Sequence, residues 1–155
     1  MITRAEIQDA GTIAGILLDA FREFEPLYTP GGFRATTPTA TAISARWPEG
    51  PCWIARLDGQ AVGTVSAIDQ GDEVYVRSMA VTPASRGTGV ASALLDTVTL
   101  FALECGAHRM RLSTTPFLHA AIRLYERDGF RSLPEPLDLH GTPLIAMVKT
   151  LPRDQ

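Results

Sequence analysis

The stretch Val74-Tyr75-Val76-Arg77-Ser78-Met79-Ala80-Val81, continuing as Thr82-Pro83-Ala84-Ser85-Arg86-Gly87-Thr88-Gly89-Val90-Ala91, changes its period midway. The first half alternates as a strand does. After the turn, Ala91, Leu94, Leu95, Val98, Phe101 and Ala102 recur at helical spacing as far as Gly106, a suitable residue to end a helix. A strand that feeds a glycine-rich turn into a helix start exposes backbone N–H groups without intrahelical acceptors, at the positive end of the helix dipole. Such a place binds phosphate. Gly87 and Gly89 remove side chains that would block close approach, and Arg86 adds a full charge and a planar donor fork beside the turn.

Toward the N-terminus, Cys52 to Leu57, Gln60 to Ile68 and Glu73 to Val81 read as three strands, joined by an Asp58-Gly59 hairpin turn and by Gln70-Gly71-Asp72. Ile2 to Ile7 reads as a first strand. Asp9 then caps a helix with Ile13, Ile16, Leu17, Ala20, Phe21 and Phe24 on one face. Glu25 to Thr37, with Pro26, Pro30, Gly31 and Gly32, is expected to be a mobile loop, and Thr37-Pro38 to open a short helix reaching Trp47. Toward the C-terminus, Arg109 to Ser113 is a strand. Thr115-Pro116 opens a helix carrying Phe117, Ala121, Leu124 and Tyr125, which Asp128-Gly129-Phe130 stops. Phe130 to Leu133 and Leu144 to Thr150 close the chain as two strands around a Pro-rich connection. The expectation is one α/β domain over residues 1–155, its sheet meandering first and crossing over later.

Length and composition agree. At 155 residues, 45% hydrophobic and 20% charged, the chain suits one globular domain and excludes a disordered or fibrous one. A net charge of −3 provides no net attraction to nucleic acid or anionic lipid, so neither is an expected partner. The stretch Ile13 to Leu18 is too short and too closely flanked by charge to span a membrane or form a signal peptide, and a cytoplasmic location is expected. Cys52 and Cys105 form neither a metal-ligand spacing nor a disulfide framework, and no metal is expected.

Three phosphate-cradling motifs compete at the turn. A Walker-type loop fails because no Gly-Lys-Ser/Thr follows. A dinucleotide fingerprint would put Ser92 where the third glycine or alanine belongs, and no acidic residue lies between Met110 and Thr115 to hold a ribose. The third matches throughout: Arg86-x-x-Gly89-x-Ala91 resembles the Arg/Gln-x-x-Gly-x-Gly/Ala signature of the GCN5-related N-acetyltransferase (GNAT) superfamily. Downstream, Ala121-x-x-Leu124-Tyr125-x-x-x-Gly129-Phe130 looks like the second motif of that family at the expected distance.

The resemblance implies a mixed α/β (α+β) fold, a largely antiparallel sheet of six to seven strands flanked by about four helices. It implies acetyl-CoA as cofactor, with the pyrophosphate on the amides of Arg86, Gly87, Thr88, Gly89, Val90 and Ala91, and the pantetheine arm along the backbone of Met79, Ala80 and Val81. An amine would then attack the thioester directly, and Tyr125 resembles the family's general acid toward the thiolate. Many relatives carry an asparagine where this chain has Leu118, and Thr114, Thr115 or His119 stands in for it, Thr114 being assigned to the cofactor. Family members are often homodimers, an expectation with no sequence feature of this chain behind it.

For the incoming amine, Glu73 resembles in placement the carboxylate that some relatives use as base, with Glu23, Glu25 and Tyr28 as further candidates. Arg77 and Ser78 are expected to alternate in facing along the strand. Residues 24–37 are expected to wall the acceptor site. Tyr28 and Phe33 suit an aromatic contact and Glu25 a cationic amine, while Arg34 and Arg46 equally suit an acidic acceptor. The favoured reading is a small-molecule amine N-acetyltransferase. The alternatives are acetylation of a protein or peptide and a noncatalytic acyl-CoA-binding regulatory domain.

Overall fold

Asp58 and Gly59 adopt φ of 51° and 79°, the doubly positive turn that matches strand twist in a two-residue hairpin, and join β2 (Cys52–Leu57) to β3 (Gln60–Asp69). β3 pairs in turn with β4 (Glu73–Val81), so the expected meander is present. β1 (Ile2–Arg4), shorter than expected, adds to the free side of β2. The computed structural model describes residues 1–152.

After β4 comes the crossover helix α4 (Val90–Glu104), which returns the chain to β5 (Arg109–Thr114), parallel to β4. The helix α5 (His119–Arg127) follows, then β6 (Arg131–Ser132), β7 (Leu137–Leu139) and β8 (Thr142–Thr150). The sheet runs β1-β2-β3-β4-β5-β8-β6, with β7 also on β8, and β4–β5 is its parallel pair. Eight strands and five α-helices among the described residues slightly exceed the expected number. The eighth strand is β7, which pairs with β8 inside the stretch read as a Pro-rich connection.

The sheet separates two apolar layers. On one side Leu94, Leu95 and Val98 of α4, fully buried, pack on Val65, Val74, Val76 and Leu112 together with Tyr125 and Phe130. On the other, Ile13, Ile16 and Leu17 of α1 (Ala10–Phe21) pack on Ile54 and Ala80 with Ile43 of α3 (Ala40–Ala45).

The expected mobile loop at 25–37 is instead helical: a 3₁₀ helix over Arg22–Leu27, then α2 (Pro30–Thr36). Thr29 caps α2 by accepting from the Gly32 N–H, while its own N–H donates to Thr142 Oγ1 at 2.9 Å. Gly32 is required for closeness: an added Cβ would lie 2.3 Å from Thr142 Oγ1. Two other helix starts differ from expectation. α3 is capped by Thr39, because the Thr37 hydroxyl is engaged at the end of α2 by the Phe33 carbonyl. α5 begins at His119 behind Leu118, and Thr115 is buried upstream of it. No helix among the described residues is long and apolar enough to cross a membrane.

Candidate active site

β4 pairs with β5 through Glu73–Arg109, Val74–Met110 and Tyr75–Arg111, and no further. The cause lies on the opposite side of β4. There Thr64 pairs with Ala80 and Ser66 with Arg77, so two residues of β4 oppose the single Val65. Such a bulge bends a strand and increases its twist. Its extra residue, Ser78, takes φ of 56°, which costs a non-glycine residue of order 1–3 kcal/mol. The expected alternation of Arg77 and Ser78 fails here. Val76 and Met79 both pack toward α4, while Ser66 Oγ donates to the Arg77 carbonyl and Ser78 meets Arg46 of the α3 side.

Beyond Tyr75 the strands therefore part, and a cavity of about 420 Å³ opens at the wedge. Met79, Ala80 and Val81 form one wall, where β4, paired with β3 on one side and no longer with β5 on the other, presents unpaired backbone groups. Its floor is the turn, including Arg86, Gly87 and Gly89, and the first residues of α4, Val90 and Ala91. Gly87 and Gly89 have φ of 78° and 85°, with nothing within 4 Å of an added Cβ. They are needed for backbone conformation, and the space above them is open. The first N–H groups of α4 have no i−4 acceptor, so a 15-residue helix dipole and a bare cradle face the same cavity. These features fit a diphosphate and an extended amide-bearing arm.

Arg86 differs from its expected posture. Its guanidinium donates to the Ala20 carbonyl at 3.1 Å, pairs with Glu23 and lies 5.9 Å from the centre of the Phe24 ring. It ties the turn to the end of α1, and Glu23 is engaged there. Thr88 lies outside the wall, its hydroxyl donating to the Ser85 carbonyl. Thr114 is buried in β5 opposite Ile145, also outside the wall, whereas Leu118 and His119 line it.

Tyr125 reaches the cavity from α5, its ring edge-on to Phe130 at 5.8 Å. The Phe130 N–H donates to the Tyr125 carbonyl at 2.9 Å, and Gly129 takes φ of 105°, a helix stop that fixes the tyrosine's turn. Burial pushes the phenol far above its ordinary value, so it stays a proton donor.

Glu73 is separated from this group. It lies six residues before Met79, roughly 20 Å along the strand at about 3.3 Å per residue. Arg109 Nε at 3.3 Å and Arg111 Nε at 3.0 Å hold its carboxylate at the closed end of the wedge. No carboxylate lines the cavity among the described residues. Tyr28, buried and with its phenol pushed up by burial, joins Phe33, Phe117 and Phe24 in an aromatic cluster beside the wedge. The Arg46–Ser78 contact had no signal in the sequence, since a bulge without glycine or asparagine leaves no mark, and Phe117, read as a residue of the last helix, lies before α5 and packs on Tyr28.

A family model described as acetyltransferase (GNAT) family matches residues 17–130. The chain is 42% identical over 94 residues to the N-acetylaspartate synthetase of Danio rerio, covering 59% of this chain and 33% of that protein. It is 28% identical over 147 residues to the uncharacterized N-acetyltransferase YjgM of Escherichia coli strain K12, covering 91% and 87%. The chain thus spans about a third of the length of the first of these relatives. Among solved structures, yncA from Salmonella typhimurium, described as a putative acetyltransferase with its cofactor acetyl-CoA, superposes with a TM-score of 0.75 at 23% identity, covering 100% of this chain and 95% of that one.

Proposed function

The chain belongs to the acetyltransferase (GNAT) family, and from that premise we propose that it is an acetyl-CoA-dependent N-acetyltransferase acting on a primary amine of a small molecule. The observation that carries this reading is the convergence on one cavity of the Gly87–Gly89 cradle, the start of α4, the unpaired edge of β4 and the Tyr125 phenol. A relative named for synthesis of N-acetylaspartate, itself a small acetylated amine, supports the choice of acceptor over a protein.

When bound, acetyl-CoA supplies a thioester whose carbonyl carbon a neutral amine attacks, forming C–N and breaking C–S, with the nitrogen losing a proton and the sulfur gaining one. The amides of Gly87 to Ala91 hold the diphosphate, and the β4 edge at Met79 to Val81 pairs with the pantetheine arm. Backbone N–H groups at the same edge stabilise charge developing on the carbonyl oxygen. Tyr125 donates its proton to the departing sulfur and regains one from solvent. The acceptor ammonium gives up its proton to water, since Glu73 is out of reach.

Two measurements test this. Acetyl-CoA should raise the melting temperature of the wild-type protein, and Gly89→Trp, which fills the cradle, should abolish the rise. Release of free thiol from acetyl-CoA should depend on added amine. Equal melting shifts in both proteins, or no amine-dependent thiol, overturns the reading.

A further inference from the structure

Arg86 has Glu23 as its carboxylate, and Arg111 has both Glu73 and Glu135. Arg46 has none within ion-pair distance among the described residues. Its Nη2 donates to a neutral group, Ser78 Oγ, at 3.2 Å. Beside it Arg77 spends Nη1 on Glu49 at 2.8 Å and leaves Nε buried without a hydrogen-bond partner. The bulge is what brings the two together. By placing Arg77 and Ser78 on one face of β4, it brings Arg77 and, through the Ser78 hydroxyl, Arg46 to the stretch of strand just before Met79, the first residue of β4 to line the wedge.

We propose that the acceptor amine carries a carboxylate, held by the guanidinium groups of Arg46 and Arg77 above the Ser78 bulge; the proposal rests on the acetyltransferase reading. Of the two guanidinium groups Arg77 alone is ion-paired, to Glu49, which leaves one positive charge uncompensated. Each has five N–H donors in a planar fork that matches a carboxylate, and a second carboxylate would take up both the charge and the unused donors. Burial, then the charge of Arg77, holds Arg46 below its ordinary value, which is the strain an incoming anion relieves. The surrounding groups Cys52 and Ser66 are uncharged competitors at most, burial keeping the Cys52 thiol protonated. An amino acid separates its amine nitrogen from its α-carboxylate carbon by two bonds, about 2.5 Å, so a carboxylate seated here keeps the nitrogen beside the same stretch of β4.

The test is thiol release from acetyl-CoA with matched pairs: glycine, L-aspartate and L-glutamate against glycinamide and the two diamides, compared at equal concentrations of neutral amine. The expected result is a kcat/KM at least about tenfold higher for the acids, the loss incurred when a charged hydrogen bond is removed. Arg46→Gln should erase that preference through KM while acetyl-CoA still raises the melting temperature, and Arg46→Lys should restore part of it. Amides used as well as acids, or Arg46→Gln lowering both classes equally, overturns the proposal and leaves the acetyltransferase reading standing. No thiol release with any amine, and no melting shift with acetyl-CoA, overturns both. Should Arg46→Gln fail to fold, the acid-to-amide comparison in the wild-type protein decides alone.

Discussion

The Arg86 guanidinium donates to the Ala20 carbonyl at 3.1 Å, joining the glycine turn to the last turn of α1. A residue whose charge suggested direct phosphate contact is thus also the clamp that holds the cradle against a second wall of the cavity. Arg86→Gln should raise the KM for acetyl-CoA about tenfold. It should change the stability of the free protein by less than about 1 kcal/mol, because the pair with Glu23 is solvent-exposed. Thermal unfolding with and without acetyl-CoA separates the two effects.

Tyr125→Phe keeps the ring packed on Phe130 and removes the proton donor. Turnover should fall about a hundredfold with little change in the KM for acetyl-CoA. Steady-state kinetics from pH 7 to 9 measure it, and unchanged turnover across that range rejects the role.

The same phenol has a signature in stability. Its folded pKa is raised above the unfolded value near 10, so above pH 10 the native state retains a proton that the unfolded chain has released. The contribution is present in full below pH 10 and is lost as pH climbs toward the folded value. Urea unfolding at pH 9 and 11 should show a steeper decline for wild type than for Tyr125→Phe; Tyr28, also raised by burial, remains in both proteins and cancels.

Glu73→Gln should leave the pH dependence of turnover unaltered while lowering stability modestly, because it removes the carboxylate that Arg109 and Arg111 share at the closed end of the wedge and leaves Arg111 only Glu135. A lost acidic limb in the kcat profile would return Glu73 to the chemistry.

Gly50 lets the turn that bears Arg46 and Glu49 lie directly on β3: an added Cβ would fall 1.9 Å from the Ala67 carbonyl oxygen. Its φ of 168° is ordinary extended backbone, so the requirement is space alone. Gly50→Ala should cost about 2 kcal/mol by overpacking, read as a lower denaturation midpoint at unchanged slope.

Much of this was legible in the chain. The strand–turn–helix from Val74 to Ala102 and the hairpin at Asp58-Gly59 are local, set by side-chain period and by residues that accept positive φ. So is the stop at Gly129 that positions Tyr125. Residues 25–37 were not legible as helix, because Pro30, Gly31 and Gly32 have loop composition. Only contact with His140 and Thr142, more than a hundred positions later, reveals that Gly32 serves close packing.

The amino-acid order by itself therefore determined the strand–turn–helix, the Asp58-Gly59 hairpin and the stop at Gly129, all of which depend on neighbours a few residues apart. The tertiary structure decided which side chains share the wedge. A bulge exists only as a mismatch in pairing between β3 and β4, and that one extra residue parts β4 from β5, turns Arg77 and Ser78 to one face, and leaves Glu73 at the closed end. No property of Ser78 alone encodes it, since the unpaired residue is defined by the strand opposite.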